Sequence, residues 1–164
     1  SEMCIRDRVM MARYNWPFDP QVILNMDQWD GYQQARQRLL GFMAQHQVQN
    51  PVVLTGDIHS AWVGDLKTDF LDPSSATVGT EFVTTSISAD FPAQAVPLVA
   101  RGLKDNPHMK YFNGADRGYA RAHITKDRWQ TDFRVVDTIT ARDGGVRTHA
   151  SWAVEHGQPG AQRA

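Results

Sequence analysis

Cysteine, charge of one sign and long apolar runs are all scarce in this chain. Cys4 is the single cysteine among 164 residues, which excludes an internal disulfide and a cluster of thiolate metal ligands. The 17 basic and 18 acidic residues give a formal net charge of −1, so charge offers no reason to expect a nucleic-acid or anionic membrane partner. No apolar run approaches the roughly 20 residues that a membrane-spanning helix needs.

Several short signatures of enzyme classes are also missing. The sequence contains no glycine-rich phosphate loop, no nucleophile elbow and no zinc-protease motif. The composition is 41% hydrophobic and 21% charged, which is typical of a folded globular domain rather than a disordered chain. A chain of this length can bury the core of one domain.

The first eight residues, SEMCIRDR, differ in character from the rest. They show neither apolar periodicity nor the basic, apolar and small-residue regions of a signal peptide. We expect residues 1–8 to be foreign sequence, in which case Cys4 belongs to no site. The domain proper would then comprise residues 9–164.

The front half of the chain predicts alternating strand and helix. Val9–Ala12 is expected to be a strand, and a helix is expected from Asp27 to Gln47, with Asp27 as its N-cap and Asp30 favourable beside the helix dipole. Arg36, Gln37 and Arg38 are predicted on the exposed face. The helix is predicted because a set of apolar residues is spaced so that all of them fall on one helical face: Trp29, Tyr32, Ala35, Leu39, Leu40 and Met43.

An apolar run follows this helix and predicts a short, buried strand. Val52–Leu54 comes directly after Asn50-Pro51, and β-branched runs of this kind are typical of parallel sheets. Helix and strand together would form the second half of a crossover unit.

The back half predicts antiparallel strands. Strands are expected over 81–87, 119–124, 128–136 and 149–154, and a loop with one helix at 93–103 is expected over 89–118. The polar tripeptide TKD between the second and third of these strands predicts a hairpin turn, whereas GQPG is expected to end the last one. Trp129, Phe133 and Trp152 alternate with polar neighbours, which indicates sheet packing.

Asp57 and His59 stand just past the end of the predicted strand at Val52. Functional groups of open α/β sheets gather at the carboxyl ends of strands. A carboxylate and an imidazole suit a divalent or trivalent metal, and the two side chains point the same way if the backbone stays extended. The alternative is that Asp57 caps a turn and that His59 is a hydrogen-bonded structural histidine.

Other polar residues support weaker hypotheses. Asp27 and Asp30 are either a functional carboxylate pair or helix-capping residues. His108 lies in a predicted loop, either as a functional group or simply as an exposed histidine. Arg117 and Tyr119 are candidates for binding an anionic substrate, although a strand-edge salt bridge explains Arg117 equally well.

Six segments together resemble the C-terminal half of the alkaline phosphatase D family, the PhoD-like phosphatases. In chain order they are DQWDGYQQARQRLLGFM, NPVVLTGDIHSAWVGDL, VGTEFVTTSIS, NPHMKYFN, RGYARAHITKDRWQTDFRVVDTI and ASWAVEHGQPG. The motif Gly-Asp-x-His alone would be weak evidence, but the ordered set extends the resemblance from Val9 to the end of the chain.

The resemblance implies a fold and an activity. The expected fold is α/β: part of a metallophosphatase β-sandwich flanked by helices. The implied reaction is hydrolysis of phosphomonoesters or phosphodiesters by metal-activated water, with Asp57 and His59 each binding a different ion. Iron and calcium are the implied metals. Because members of this family are typically exported by the twin-arginine route, a periplasmic or extracellular location is implied.

The remaining metal ligands of the family pattern have no counterpart in this sequence. The motifs that supply them lie in the N-terminal half of the family. We therefore expect an incomplete metal centre, little or no activity, and poor stability or aggregation of this chain alone. The alternatives are a non-catalytic binding module on the same fold, or a structural domain in which Asp57 and His59 merely cap a turn.

Overall fold

Two four-stranded sheets lie face to face, and two helices cover the outer face of one of them. The computed structural model describes residues 9–18 and 20–164. The expectations about residues 1–8, including Cys4, lie outside the described residues. The strands are β1 (Trp16–Phe18), β2 (Gln21–Ile23), β3 (Val52–Thr55), β4 (Ala61–Lys67), β5 (Thr77–Val83), β6 (Met109–Asn113), β7 (Gly118–Ile124), β8 (Arg128–Val136), β9 (Val146–Glu155) and β10 (Gln158–Arg163). The helices are α1 (Gln33–Gln45) and α2 (Ala95–Gly102), with 3-10 turns at Trp29–Tyr32 and Leu103–Asp105.

The first sheet is mixed and the second is an antiparallel meander. The first has the order β3-β5-β4-β6, with β3 parallel to β5 and the other pairs antiparallel. The second has the order β10-β9-β8-β7. Strands β1 and β2 form a separate small hairpin. The predicted α/β class and the partial sandwich are therefore confirmed, as is the antiparallel back half.

Alternation along the central strand β4 divides the core into two layers. Ala61 and Val63 face the second sheet and pack with Phe133 and Trp152. Trp62 faces the other way, where the side chains of the two helices cover it. This two-sided burial explains why β4 is almost entirely buried. The predicted packing role of Phe133 and Trp152 is confirmed, and Trp129 packs partly buried against the same layer.

The hairpin predicted around TKD is confirmed, whereas the end of the chain differs from the prediction. Strands β7 and β8 pair from Gly118↔Val135 to Ile124↔Trp129. GQPG does follow the end of β9 at Glu155, but β9 is not the last strand, because Gly157 adopts a φ of 71° and turns the chain back into β10. Pro159 is tolerated there because β10 is an edge strand.

The predicted strand at Val9–Ala12 is wrong. The backbone N–H groups of Met11 and Ala12 donate to the carboxylate oxygens of Glu81, each at 2.7 Å, instead of joining a strand ladder. A fully buried carboxylate on β5 therefore anchors this segment. The second half of the predicted crossover, α1 followed by β3, is present, but among the described residues no strand ahead of α1 pairs into the sheet that contains β3.

The start of the first long helix was also predicted wrongly. Asp27 does not cap it: a 3-10 turn begins at Trp29 and α1 begins at Gln33. Asp30 is buried and pairs with Arg36, with Oδ1 2.8 Å from Nη1. Arg36 therefore lies on the buried face rather than the exposed one. Helical periodicity treats every charged residue as exposed, and a buried ion pair violates that assumption.

Three strands differ from the predictions, one in its bounds, one in its burial and one in its existence. The strand expected over 81–87 is Thr77–Val83, because residues 77–80 pair with β4 even though they include Gly79. The strand β3 is an edge strand and is only partly buried, with Leu54 56% exposed. Strand β6 lies where a loop was expected, and it forms through long-range pairing with β4. The predicted helix at 93–103 is confirmed as α2.

Candidate functional site

Asp57 and His59 lie in a tight bend between β3 and β4, near the carboxyl end of β3. Their φ angles are 72° and 54°, so both have a left-handed backbone. The expectation of an extended backbone at these residues is therefore wrong. Such conformations cost L-residues about 1–2 kcal/mol each, although Asp and His tolerate them better than most. Strain of this kind persists only where the surrounding structure imposes it, and it is frequent at functional sites.

The two side chains nevertheless share one cleft of about 340 Å³. Asp57 and His59 line it on one side, and Asp27 and Asp90 also contribute to its wall. The structure thus brings the two predicted residues together. Asp27 was considered as a functional carboxylate only in a pair with Asp30, which does not line this cleft, and no sequence signal pointed to Asp90.

Aromatic side chains form much of the remaining wall of this cleft. Tyr14, Trp16, Trp62 and Phe91 line it. Tyr14 donates its hydroxyl to the Val99 carbonyl at 2.7 Å, and burial raises the pKa of Tyr14 to about 12. The tyrosine is therefore neutral at physiological pH. The cleft thus combines an apolar wall with carboxylates and one imidazole.

One ring nitrogen of His59 is held by the main chain. Its Nδ1 lies 3.0 Å from the carbonyl oxygen of Asp90. Because a carbonyl can only accept, Nδ1 carries the proton and Nε2 keeps its lone pair in the neutral ring. Metal-binding histidines in proteins commonly have this arrangement.

The Asp57 carboxylate is exposed, and none of the hydrogen bonds among the described residues involves it. The turn itself is closed by the Ile58 N–H, which donates to the Gly56 carbonyl at 2.9 Å. A turn-capping role for Asp57 therefore has no hydrogen bond to support it. The same alternative describes His59 as a hydrogen-bonded structural histidine. His59 does make such a hydrogen bond, to the Asp90 carbonyl, but its ring also lines the cleft.

The donor set fits part of a metal site rather than a whole one. Asp57 offers a hard oxygen ligand and His59 an imidazole nitrogen, a combination suited to iron, manganese or zinc. Across residues 9–18 and 20–164, no group of three or more His, Cys, Asp or Glu side chains could hold a metal ion. Since metal sites use at least three or four protein or solvent donors, these two residues need further ligands.

Arg117 lies beneath the bend rather than at the cleft surface, and it is only 7% exposed. Its Nη1 donates to the His59 carbonyl at 2.6 Å and to the Ala89 carbonyl at 3.1 Å. Its Nη2 donates to the Gly114 carbonyl. No carboxylate of the described residues pairs with it, so the proposed strand-edge salt bridge is not observed. The substrate-binding role of Arg117 stays a prediction.

The other two predicted substrate residues do not line the cleft. Tyr119 is 43% exposed on β7. His108 is buried rather than an exposed loop histidine, with Nε2 2.6 Å from the Arg13 carbonyl and its ring edge-on to Phe70. Burial lowers the pKa of His108, so the ring is neutral. The structure does not bring either residue together with Asp57 and His59.

Comparison with known proteins gives three consistent results. The family model described as PhoD-like phosphatase matches residues 4–133. Alkaline phosphatase D of Bacillus subtilis (strain 168) is 35% identical over 164 residues, which cover 97% of this chain and 27% of that protein. A solved structure titled "Structure of PhoD" matches with a TM-score of 0.81 and 35% identity, over 95% of this chain and 30% of that one. The chain thus spans less than a third of the length of either relative.

Proposed function

The chain belongs to the PhoD-like phosphatase family, and from this premise we propose that it carries part of the metal centre of a phosphoric ester hydrolase. The observation that supports the proposal is that Asp57 and His59 line one cleft. His59 Nδ1 is hydrogen-bonded to the Asp90 carbonyl, which leaves the lone pair of Nε2 available to a metal ion. The substrates would be small phosphomonoesters or phosphodiesters. No helix within the described residues is long and apolar enough to cross a bilayer.

Asp57 and His59 would each hold a different metal ion. When bound, two such ions supply positive charge to the phosphate oxygens and lower the pKa of the attacking water. Asp57 contributes a negative hard donor, which favours calcium and oxidised iron over softer metals. His59 contributes a neutral nitrogen whose orientation is fixed by the Asp90 carbonyl.

The metal centre of this chain alone is incomplete under this proposal. Two donors are too few for the ions, and the relatives carry more than two thirds of their length outside the matched stretch. The other ligands would come from those regions. The isolated chain is then expected to show little or no hydrolysis. We also propose that the complete protein acts outside the cytoplasm, as exported members of the family do.

The first experiment tests the 164-residue chain directly. Mn²⁺ titration by calorimetry should show weak binding in the wild type, reduced binding in Asp57→Asn and in His59→Ala, and no binding when both substitutions are combined. Turnover of p-nitrophenyl phosphate and its diester should stay at background with iron, calcium or manganese. Tight binding of two ions with turnover would contradict the incomplete centre, and unchanged Mn²⁺ binding by both variants would contradict the assignment of the ligands.

The second experiment tests the activity. This chain replaces the matched stretch of the Bacillus subtilis relative, and the chimera is assayed with both esters. Asp57→Asn and His59→Ala should each lower the hydrolysis rate by more than the roughly 10- to 100-fold that loss of an outer-shell partner causes. His123→Ala, an exposed histidine on β7, is the matched control. Unchanged hydrolysis in both ligand variants would support a non-catalytic binding module instead.

A further inference from the structure

We propose that Arg117 is a positioning residue for His59: it holds the strained bend and the carbonyl that orients the imidazole, so that Nε2 faces the cleft. This inference rests on the proposed function, because it concerns how a proposed metal ligand is presented. In this positioning role Arg117 contacts neither substrate nor metal. It acts through hydrogen bonds to the main chain.

The first connection runs from Arg117 to the main chain of His59. Nη1 donates to the His59 carbonyl at 2.6 Å, and the hydroxyl of Thr85 approaches the same oxygen at 3.3 Å. His59 itself has a φ of 54°, a conformation that its neighbours must impose. Because the single Thr85 hydroxyl proton has a nearer acceptor in the Asp116 carbonyl at 3.1 Å, Arg117 is the donor that fixes the direction of the His59 carbonyl and, with it, the peptide plane that follows the left-handed residue.

The second connection runs from Arg117 to the segment that orients the ring. The second N–H of Nη1 donates to the Ala89 carbonyl at 3.1 Å, and the Ser86 hydroxyl lies 3.3 Å from the same nitrogen. The next residue, Asp90, provides the carbonyl that accepts from His59 Nδ1 at 3.0 Å. One guanidinium therefore holds both the main chain of His59 and the segment that orients its ring.

The chemistry of the guanidinium explains why arginine suits this position. It is planar, always charged, and carries five N–H donors in a rigid fork that can serve several oxygens at once. Arg117 uses this fork on neutral oxygens, with Nη2 donating to the Gly114 carbonyl as well. A lysine ammonium has three donors on a flexible stem and cannot span the same set. Substitution by lysine should therefore keep the charge but only part of the positioning.

The test reads the His59 tautomer and metal affinity in the 164-residue chain. Long-range ¹H–¹⁵N NMR at alkaline pH, with the His59 signals assigned by their loss in His59→Ala, should show one Nδ1–H tautomer in the wild type. Arg117→Gln should give a mixture of both tautomers and weaken Mn²⁺ binding by about 10- to 100-fold. Arg117→Lys should fall between the two.

Arg121→Gln is the matched control. Arg121 lies close to Arg117 in the sequence, in β7, but it pairs with Asp132 on the second sheet. It should leave the tautomer and Mn²⁺ affinity unchanged. Circular dichroism confirms folding of each variant, and the lysine variant decides the question if the glutamine variant does not fold. A single Nδ1–H tautomer in folded Arg117 variants overturns the inference. The tautomer needs no metal, so a wild type that fails to bind Mn²⁺ would count against the proposed function alone.

Discussion

Neutralising Asp30 should destabilise the chain more than any surface substitution. Asp30 and Arg36 have side-chain exposures of 1% and 5%, and Oδ1 lies 2.8 Å from Nη1. Removing one member of a buried ion pair leaves the other charge unpaired in a poorly solvated site, which costs about 3–5 kcal/mol. We therefore expect Asp30→Asn to destabilise the chain by an amount within this range.

The loss of stability translates into a measurable shift in melting temperature. For a chain of 150–250 residues, each kcal/mol lowers the midpoint by about 2–4 °C, so a cost of about 3–5 kcal/mol corresponds to roughly 6–20 °C. Thermal and urea unfolding, followed by circular dichroism, measure the melting midpoint and the free energy of unfolding. An unchanged urea slope shows that the wild type and Asp30→Asn expose similar surface on unfolding. Arg38→Met, an exposed arginine on α1, is the matched control and should stay within about 0.5 kcal/mol.

The double variant isolates the pairing of the two charges. Arg36→Met alone leaves the Asp30 carboxylate buried and unpaired, whereas Asp30→Asn with Arg36→Met removes both charges. The double variant still loses the hydrogen bond from Arg36 Nη1 to the Met11 carbonyl at 2.9 Å, so we expect a cost of about 1–3 kcal/mol. Two single effects below about 1 kcal/mol that simply add in the double variant would refute the reasoning.

Two further predictions concern buried carboxylates. Glu81→Ala should destabilise the chain by about 3 kcal/mol or more, at about 1 kcal/mol for each of the buried donors that it leaves unsatisfied. Hydrogen exchange at the amides of Met11 and Ala12 should accelerate. Retained protection of these amides would contradict the anchoring role of Glu81. Hydrogen bonds, first of all from Arg121, lower the pKa of Asp132 to about 2. Stability should therefore be lost as pH falls from about 4 to about 2, and acid titration of Asp132→Asn should lack this loss.

Local patterns were sufficient wherever neighbouring residues decide the structure. The hairpin β7–β8 was predictable because a polar tripeptide separates two β-rich segments, and the register follows from the short turn. Helix α2 was predictable from its amphipathic spacing. The position of Asp57 and His59 after a strand was predictable from the apolar run that precedes them. The family was recognised from six ordered segments, and the comparisons confirm it.

Long-range pairing decided the elements that local patterns missed. Strand β6 has Lys110 as its second residue and Pro107 two residues before its start, so its sequence resembles a loop. It forms because β4 offers an antiparallel partner, and Met109 and Tyr111 become buried there. Strand β10 was missed for the same reason: only the existence of β9 makes a further strand after Gly157 favourable.

The sequence by itself determined the family, the two-layer β-rich architecture and the two residues at the strand end. The tertiary structure alone decided which charges are buried and what they hold. Arg117 lies 58 residues from the His59 carbonyl that it contacts, and Glu81 lies 70 residues from the Met11 amide. A charged residue is unfavourable in a core unless distant partners satisfy it, and periodicity carries no information about those partners.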